Sequence, residues 1–209
     1  MSDETVIEQR ENGPLVVKNC ADLRLADGTE GPAKPVMALC RCGESSNKPF
    51  CDGSHNDNGF DSAPADVSEK DKVRAYEGEQ LTIHYNPLLC SHAGECGRLA
   101  ANVFNPKQRP WIQPDNGTNE EIRAVMKACP SGALRYSEAG GETELVADGA
   151  VSITVEKDGP YRVSNIPVEA DYRAEGQSDR KYVLCRCGKS ANKPYCDGTH
   201  SDEGWSDAS

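Results

Sequence analysis

Three cysteines and one histidine recur twice in this chain at matched spacing. Cys40, Cys42, Cys51 and His55 lie in Cys-Arg-Cys-Gly-Glu-Ser-Ser-Asn-Lys-Pro-Phe-Cys-Asp-Gly-Ser-His, and Cys185, Cys187, Cys196 and His200 lie in Cys-Arg-Cys-Gly-Lys-Ser-Ala-Asn-Lys-Pro-Tyr-Cys-Asp-Gly-Thr-His. Three thiolates and an imidazole complete the first shell of a soft metal, and suit either zinc or an iron-sulfur cluster. Spacing weighs against zinc, because zinc ribbons present C-x2-C knuckles whereas Cys40 and Cys42 flank a single residue. Cys51 and His55 stand four apart, as at the start of a helix. A donor pair from each end suits a two-iron site, with one iron for Cys40 and Cys42 and the other for Cys51 and His55.

A third group of candidate ligands lies between the copies: Cys90-Ser-His92-Ala93-Gly-Glu-Cys96, followed by Cys129-Pro130. The tenth cysteine, Cys20, falls opposite Ile166 when the repeats are aligned, and reads as an apolar packing residue. His84, beside Tyr85 on an expected strand, reads as structural.

The elements that position these residues are short. The second motif follows the first at an offset of 145 residues from Cys40–Cys185 through Phe60–Trp205, and Asn12-Gly13-Pro14 matches Asp158-Gly159-Pro160 upstream at 146. Each repeat reads as a Gly-Pro turn, a strand such as Leu15-Val16-Val17, a polar loop, and a second strand entering the metal loop, Val36 to Leu39 or Lys181 to Leu184. Neither repeat can bury much alone, so the two are expected to pack on one another. Asp52 and Asp197 are placed to cap a helix beginning near the third cysteine. Gly53 and Gly198 allow close backbone approach, Pro49 and Pro194 stiffen the loop, and Lys48 and Lys193 either bring positive charge near the site or are solvated.

Between the repeats, polar Ser62 to Lys72 and Gly-rich Glu138 to Gly149 read as linkers. Inside them, Gln80 to Tyr85 alternates as a strand, Glu95 to Val103 reads as a helix, and Trp111-Ile112-Gln113 reads as a strand. Thr118 and Glu121 form a capping box that opens a second helix. On it, Ile122, Val125, Met126 and Cys129 share one face; Cys96, Leu99, Ala100 and Val103 repeat that spacing on the first. Ala133 to Tyr136 closes a β-α-β-α-β order.

Composition bounds the rest. Only 36% of the 209 residues are hydrophobic and 6% aromatic, with mean hydropathy −0.68, so the apolar core is small and metal is expected to support the fold. A net charge of −11 and a pI near 4.9 argue against nucleic acid, and either merely keep the chain in solution or favour basic protein partners. No basic-then-apolar leader follows Met1, and no apolar run approaches the length of a membrane span. A reducing cytoplasm is the expected compartment, where thiols bind metal more often than they pair.

The pattern C-x-C-x2-S-x3-P-x-C-D-G-[ST]-H resembles the CDGSH iron-sulfur domain of the mitoNEET family, in both copies. The resemblance implies a 2Fe-2S cluster on Cys40, Cys42, Cys51 and His55 and another on Cys185, Cys187, Cys196 and His200. It also implies pairing of the two motifs, either as an intertwined dimer with a β-rich cap or within one chain. An intramolecular pseudo-dimer, and hence a monomer, is the expected arrangement. The segment from about Lys72 to Ser137 resembles the divergent single-cluster ferredoxins, with Ala93 in place of the second cysteine of C-x2-C-x2-C. Cys90, Cys96 and Cys129 then suit a 3Fe-4S cluster. A 4Fe-4S cluster needs a fourth ligand, for which His92 is the candidate; otherwise His92 is a loop histidine hydrogen-bonded near the cluster.

The expected fold is α+β: CDGSH repeats at 10–63 and 150–209 flanking a ferredoxin-like domain at 72–137. No nucleophile with a base, paired catalytic carboxylates or nucleotide-binding glycine loop appears, so no enzyme activity is expected. The expected function is electron transfer with a redox protein partner. The alternative is cluster donation to an apo-acceptor protein, or redox, iron or pH sensing, because a protonated imidazole cannot bind iron.

Overall fold

Short aliphatic runs separated by Gly, Pro and Asn turns become strands, and a computed structural model, describing residues 4–32, 34–66, 68–138, 140–170 and 172–208, shows a mixed α+β fold dominated by them. Met1–Asp3, at the expected leader position, lie outside the described residues, as do Val67 and Ala139 in the two expected linkers.

The first repeat forms β1 (Val6–Gln9), β2 (Leu15–Lys18), β3 (Leu23–Arg24) and β4 (Val36–Leu39). The middle segment forms β5 (Arg74–Glu77), β6 (Leu81–Tyr85), α1 (Glu95–Leu99), α2 (Asn119–Ala128) and β7 (Leu134–Glu138). The second repeat forms β8 (Ser152–Val155), β9 (Tyr161–Ser164), β10 (Val168–Glu169), β11 (Lys181–Leu184) and the short α3 (Thr199–Asp202). The turn before β2 needs a left-handed residue, supplied by Asn12 at φ 47°, and Asp158 repeats it before β9 at φ 52°. Short polar side chains tolerate this conformation best after glycine.

The repeats exchange strands. The sheet orders are β10-β1-β2-β4 and β11-β9-β8-β3, so the first strand of each repeat pairs in parallel with the two-residue third strand of the other. The registers are Ile7 with Val168 and Leu23 with Ile153. Alternation in β2 and β9 turns Leu15, Val17, Tyr161 and Val163 inward, and these join Ile7, Met37, Leu39, Ile153, Tyr182 and Leu184 in one apolar core. Cys20, 2% exposed, is part of it. Two halves too small to bury a core separately thus share one.

The middle segment has its own core, in which Ile83, Phe104, Ile112, Ile122, Val125 and Met126 sit between α1, α2 and the antiparallel sheet β5-β6-β7. Its order is β-β-α-α-β rather than the expected β-α-β-α-β. Trp111–Gln113 contributes only an isolated bridge, Phe104 to Ile112, because Pro110 and Pro114 on either side lack the N–H groups a ladder needs. β5 was not expected because three of its four residues are exposed and no apolar alternation marks it. The capping box is present, with Glu121 N–H donating to Thr118 Oγ1 at 3.2 Å and Thr118 N–H to Glu121 Oε2 at 2.8 Å. α2 stops at Ala128, one residue before Cys129, since Pro130 disfavours helical backbone in the residue preceding it. α1 likewise ends at Leu99, short of Val103.

Candidate iron-sulfur sites

Each CDGSH-like loop is a closed hairpin that returns the third cysteine to the first. In the first repeat, Cys40 N–H donates to Pro49 C=O at 2.8 Å and Cys51 N–H to Ala38 C=O at 2.9 Å. In the second, Cys185 N–H donates to Pro194 C=O at 2.8 Å and Cys196 N–H to Val183 C=O at 3.1 Å. Inside the loop, Ser45 Oγ donates to Phe50 C=O at 2.6 Å and Ser190 Oγ to Tyr195 C=O at 2.7 Å. The aspartate ties the loop to the turn carrying the histidine: Asp52 accepts from Ser46 N–H at 2.8 Å and Ser54 N–H at 3.0 Å, and Asp197 from Ala191 N–H at 2.8 Å and Thr199 N–H at 3.0 Å. The left-handed backbone of Gly53 (φ 97°) and Gly198 (φ 92°) opens that turn. His55 therefore lies in a single 3-10 turn, Ser54–Asn56, and Cys51 just before it.

The donor atoms stand in pairs. Cys40 and Cys42 Sγ are 3.7 Å apart, as are Cys185 and Cys187 Sγ; Cys51 Sγ is 3.4 Å from His55 Nδ1, and Cys196 Sγ is 3.4 Å from His200 Nδ1. Two donors on one tetrahedral metal, with bonds of roughly 2.3 Å to sulfur and 2.0 Å to nitrogen, stand roughly 3.8 Å (S, S) or roughly 3.5 Å (S, N) apart. Each pair has the separation of two ligands on one metal. Among the described residues, no three His, Cys, Asp or Glu side chains converge on a single ion. Three thiolates and one imidazole in two such pairs fit a soft-metal or iron-sulfur site.

The two sulfurs of each Cys-x-Cys pair share a hydrogen bond, which lowers Cys40 and raises Cys42, and lowers Cys187 and raises Cys185; the members behave as one site. Burial holds the His200 imidazole below its usual range, against the opposing pull of Glu156 and Asp197. At Asp52, hydrogen bonds from Ser54 and Ser46 hold the carboxyl well below the carboxylate range.

The arginine between the first two cysteines is a buried structural position the motif reading overlooked. Arg41 and Arg186 are 2% and 3% exposed. Arg41 Nε donates to Gly13 C=O at 2.7 Å, and Arg186 Nη1 to Gly159 C=O at 3.0 Å. Their guanidiniums lie 5.5 Å from the Phe60 ring and 5.2 Å from the Trp205 ring. An Arg at the same place in both copies was the available signal. The loops also meet back to back: a Cβ on Gly43 would stand 2.5 Å from Cys187 O, and one on Gly188 2.5 Å from Cys42 O. Tyr161 Oη donates to Cys40 C=O at 2.6 Å, so the second repeat holds the first loop.

In the middle segment, Cys90, Cys96 and Cys129 line one cavity with His92, Tyr85 and Trp111. Cys90 follows a 3-10 turn capped by Asn86, whose Oδ1 accepts from Leu88 N–H at 2.9 Å. Cys96 sits on α1 and Cys129, 8% exposed, at the end of α2. Burial pushes the Cys90 and Cys96 thiols up. His92 is left-handed at φ 55° and borders the cavity on the side of the second repeat. Lys48 and Lys193 lie half-buried before their prolines. His84 pairs with Ser137 Oγ at 2.9 Å on the sheet, a structural contact.

Two strand-exchanged repeats with paired Cys and His donors, and a third cysteine cavity between them in sequence, define an iron-sulfur protein. Residues 12–56 and 158–201 match the iron-binding zinc finger family of CDGSH type, and residues 76–139 match the divergent 4Fe-4S mono-cluster family. The chain belongs to the CDGSH-type iron-binding proteins and carries a divergent 4Fe-4S mono-cluster domain between its two CDGSH domains. It is 41% identical over 63 residues to the uncharacterized protein YjdI of Escherichia coli K12, covering 30% of this chain and 83% of YjdI, and equally so to YjdI of Escherichia coli O157:H7. No solved structure matches it. Among the described residues, no helix is long and apolar enough to cross a membrane.

Proposed function

We propose that this chain is an electron-transfer protein without enzyme activity, working in the cytoplasm as a monomer whose two CDGSH repeats form an intramolecular pseudo-dimer. Cys40 and Cys42 hold one iron of a 2Fe-2S cluster and Cys51 and His55 the other. Cys185 and Cys187, with Cys196 and His200, do the same in the second repeat. Cys90, Cys96 and Cys129 hold a 3Fe-4S cluster, or a 4Fe-4S cluster with His92 as fourth ligand. When bound, such clusters store and release single electrons. The chain's residues supply the shells, bury the Cys-x-Cys pairs, and set the middle cavity beside the second CDGSH loop. That adjacency carries the reading: His92 borders the middle cavity, and its Cβ lies 3.1 Å from where a Cβ on Gly198, between Cys196 and His200, would sit.

Anaerobic iron and sulfide counting, with electron paramagnetic resonance through repeated reduction and reoxidation, tests it. The expected result is two 2Fe-2S clusters and one larger cluster per chain, with all iron retained on cycling. Zinc in the motifs, or one metal per motif, would overturn the cluster assignment. Loss of iron on cycling would favour a second reading, in which the chain donates a cluster to an apo-acceptor or senses redox state, iron or pH. The partial exposure of Cys51 and His55 supports that second reading.

A further inference from the structure

The two metal loops share sequence and local geometry, yet only one is covered. Asn192 is fully buried and its Nδ2 donates to Leu88 C=O of the inserted domain at 2.9 Å; Asn47, at the same place in the first loop, is exposed. A Cβ on Gly198 would meet Ser91 O at 3.0 Å and His92 Cβ at 3.1 Å, whereas one on Gly53 would meet only Asn56 of its own turn, at 3.7 Å. Cys196 is 2% exposed, and Cys51 is only partly buried. At the strand entering each loop, Lys181 Nζ donates to Met126, Lys127 and Val146 carbonyls at 2.8, 3.0 and 2.7 Å, while its counterpart Val36 is 56% exposed.

We infer that the inserted domain locks the second CDGSH site, so that the first is the exchange-open site of the molecule. The inference rests on the reading of both motifs as 2Fe-2S sites. Loss of such a cluster requires an incoming ligand to reach the edge held by the third cysteine and the histidine. At the first repeat that edge is partly exposed at both ligands; at the second His200 is half-buried as well, but Cys196 is buried and the Ser91–His92 segment packs on the glycine between the two ligands. The exchange is not a redox step: each Cys or His keeps its electron pair, chelator or water takes its place on iron, and sulfide leaves protonated. Lys181 anchors the lock by satisfying the carbonyls at the end of α2 from the second repeat.

The test uses the oxidised holoprotein under anaerobic conditions with excess EDTA. Visible absorbance and released iron are followed, and the middle cluster is tracked separately by paramagnetic resonance of oxidised aliquots for a 3Fe-4S cluster and of dithionite-reduced aliquots for a 4Fe-4S cluster. Two phases of equal amplitude are expected for the CDGSH clusters, differing in rate by about tenfold or more. His55→Cys should slow only the fast phase. Asn192→Ala should speed the slow phase several-fold, and Asn47→Ala should move neither. Gly53→Ala and Gly198→Ala impose matched left-handed strain, so the excess acceleration in Gly198→Ala reads the contact with the inserted domain alone. Full loading with a single phase, or equal responses within either matched pair, would overturn the lock while leaving the cluster assignment intact. Iron or sulfide short of two 2Fe-2S clusters before EDTA is added would overturn the assignment, and the lock with it.

Discussion

The two CDGSH repeats carry one motif in two environments. β4 and β11 enter the loops identically, Ser45 and Ser190 make the same internal bond, and Asp52 and Asp197 brace the same turn. The difference begins where the inserted domain touches. Val36, Asn47 and Cys51 are exposed or half-buried, whereas Lys181, Asn192 and Cys196 are buried. Duplication preserved the local geometry that groups the ligands, and insertion gave only one copy a neighbour. Near-identical ligand sets need not therefore have equal access to solvent or to partners.

The comparison can be broken most severely where the repeats are joined. Tyr161, fully buried in the shared core and bonded to Cys40 C=O, should cost about 3–5 kcal/mol on substitution by Ala. Its counterpart Leu15→Ala should cost about 2–5 kcal/mol. In both variants a single denaturant transition should remove both CDGSH absorbances together. Separate transitions for the two repeats would show that the core is not shared in energy as it is in space.

A smaller effect is expected at the asymmetric strand position. Lys181→Met removes a buried cation from three carbonyls and should destabilise by about 1–3 kcal/mol, while Val36→Ala, 56% exposed, should change stability by less than about 0.5 kcal/mol. Equal costs in chemical denaturation would remove the asymmetry. The smallest effect concerns pH. At Asp197 burial raises the carboxyl, but donors from Thr199 and Ala191 outweigh it and the net shift is downward; at Asp52 donors from Ser54 and Ser46 lower it. A carboxyl depressed in the folded state stabilises above the ordinary value of 3.8, and that contribution is lost as pH falls through the folded value. Asp52→Asn and Asp197→Asn should each flatten the fall of Tm as pH drops below about 4, and an unchanged slope would remove the bracing role.

Much of this was legible because it is local. The ligand spacing, β4, β11 and β6, and the Thr118–Glu121 capping box each depend on a few neighbouring residues. β5 escaped because its exposed residues carry no alternation, and Trp111–Gln113 misled because Ile112 is buried and Trp111 half-buried without a ladder to join. β3 and β10 escaped because two residues show no period. The buried roles of Arg41 and Arg186 depend on carbonyls about 28 residues upstream, which spacing within the motif does not reveal.

By itself the sequence determined that this chain presents two matched Cys3His donor sets and a third set of cysteines, because metal ligation is set by residue type and short spacing. Only the tertiary structure decided that the repeats exchange strands around one core, and that, among the described residues, the inserted domain seats on the second loop and not on the first. Those pairings join residues far apart in the chain, where contact depends on which apolar faces and unsatisfied backbone groups meet once every element has folded.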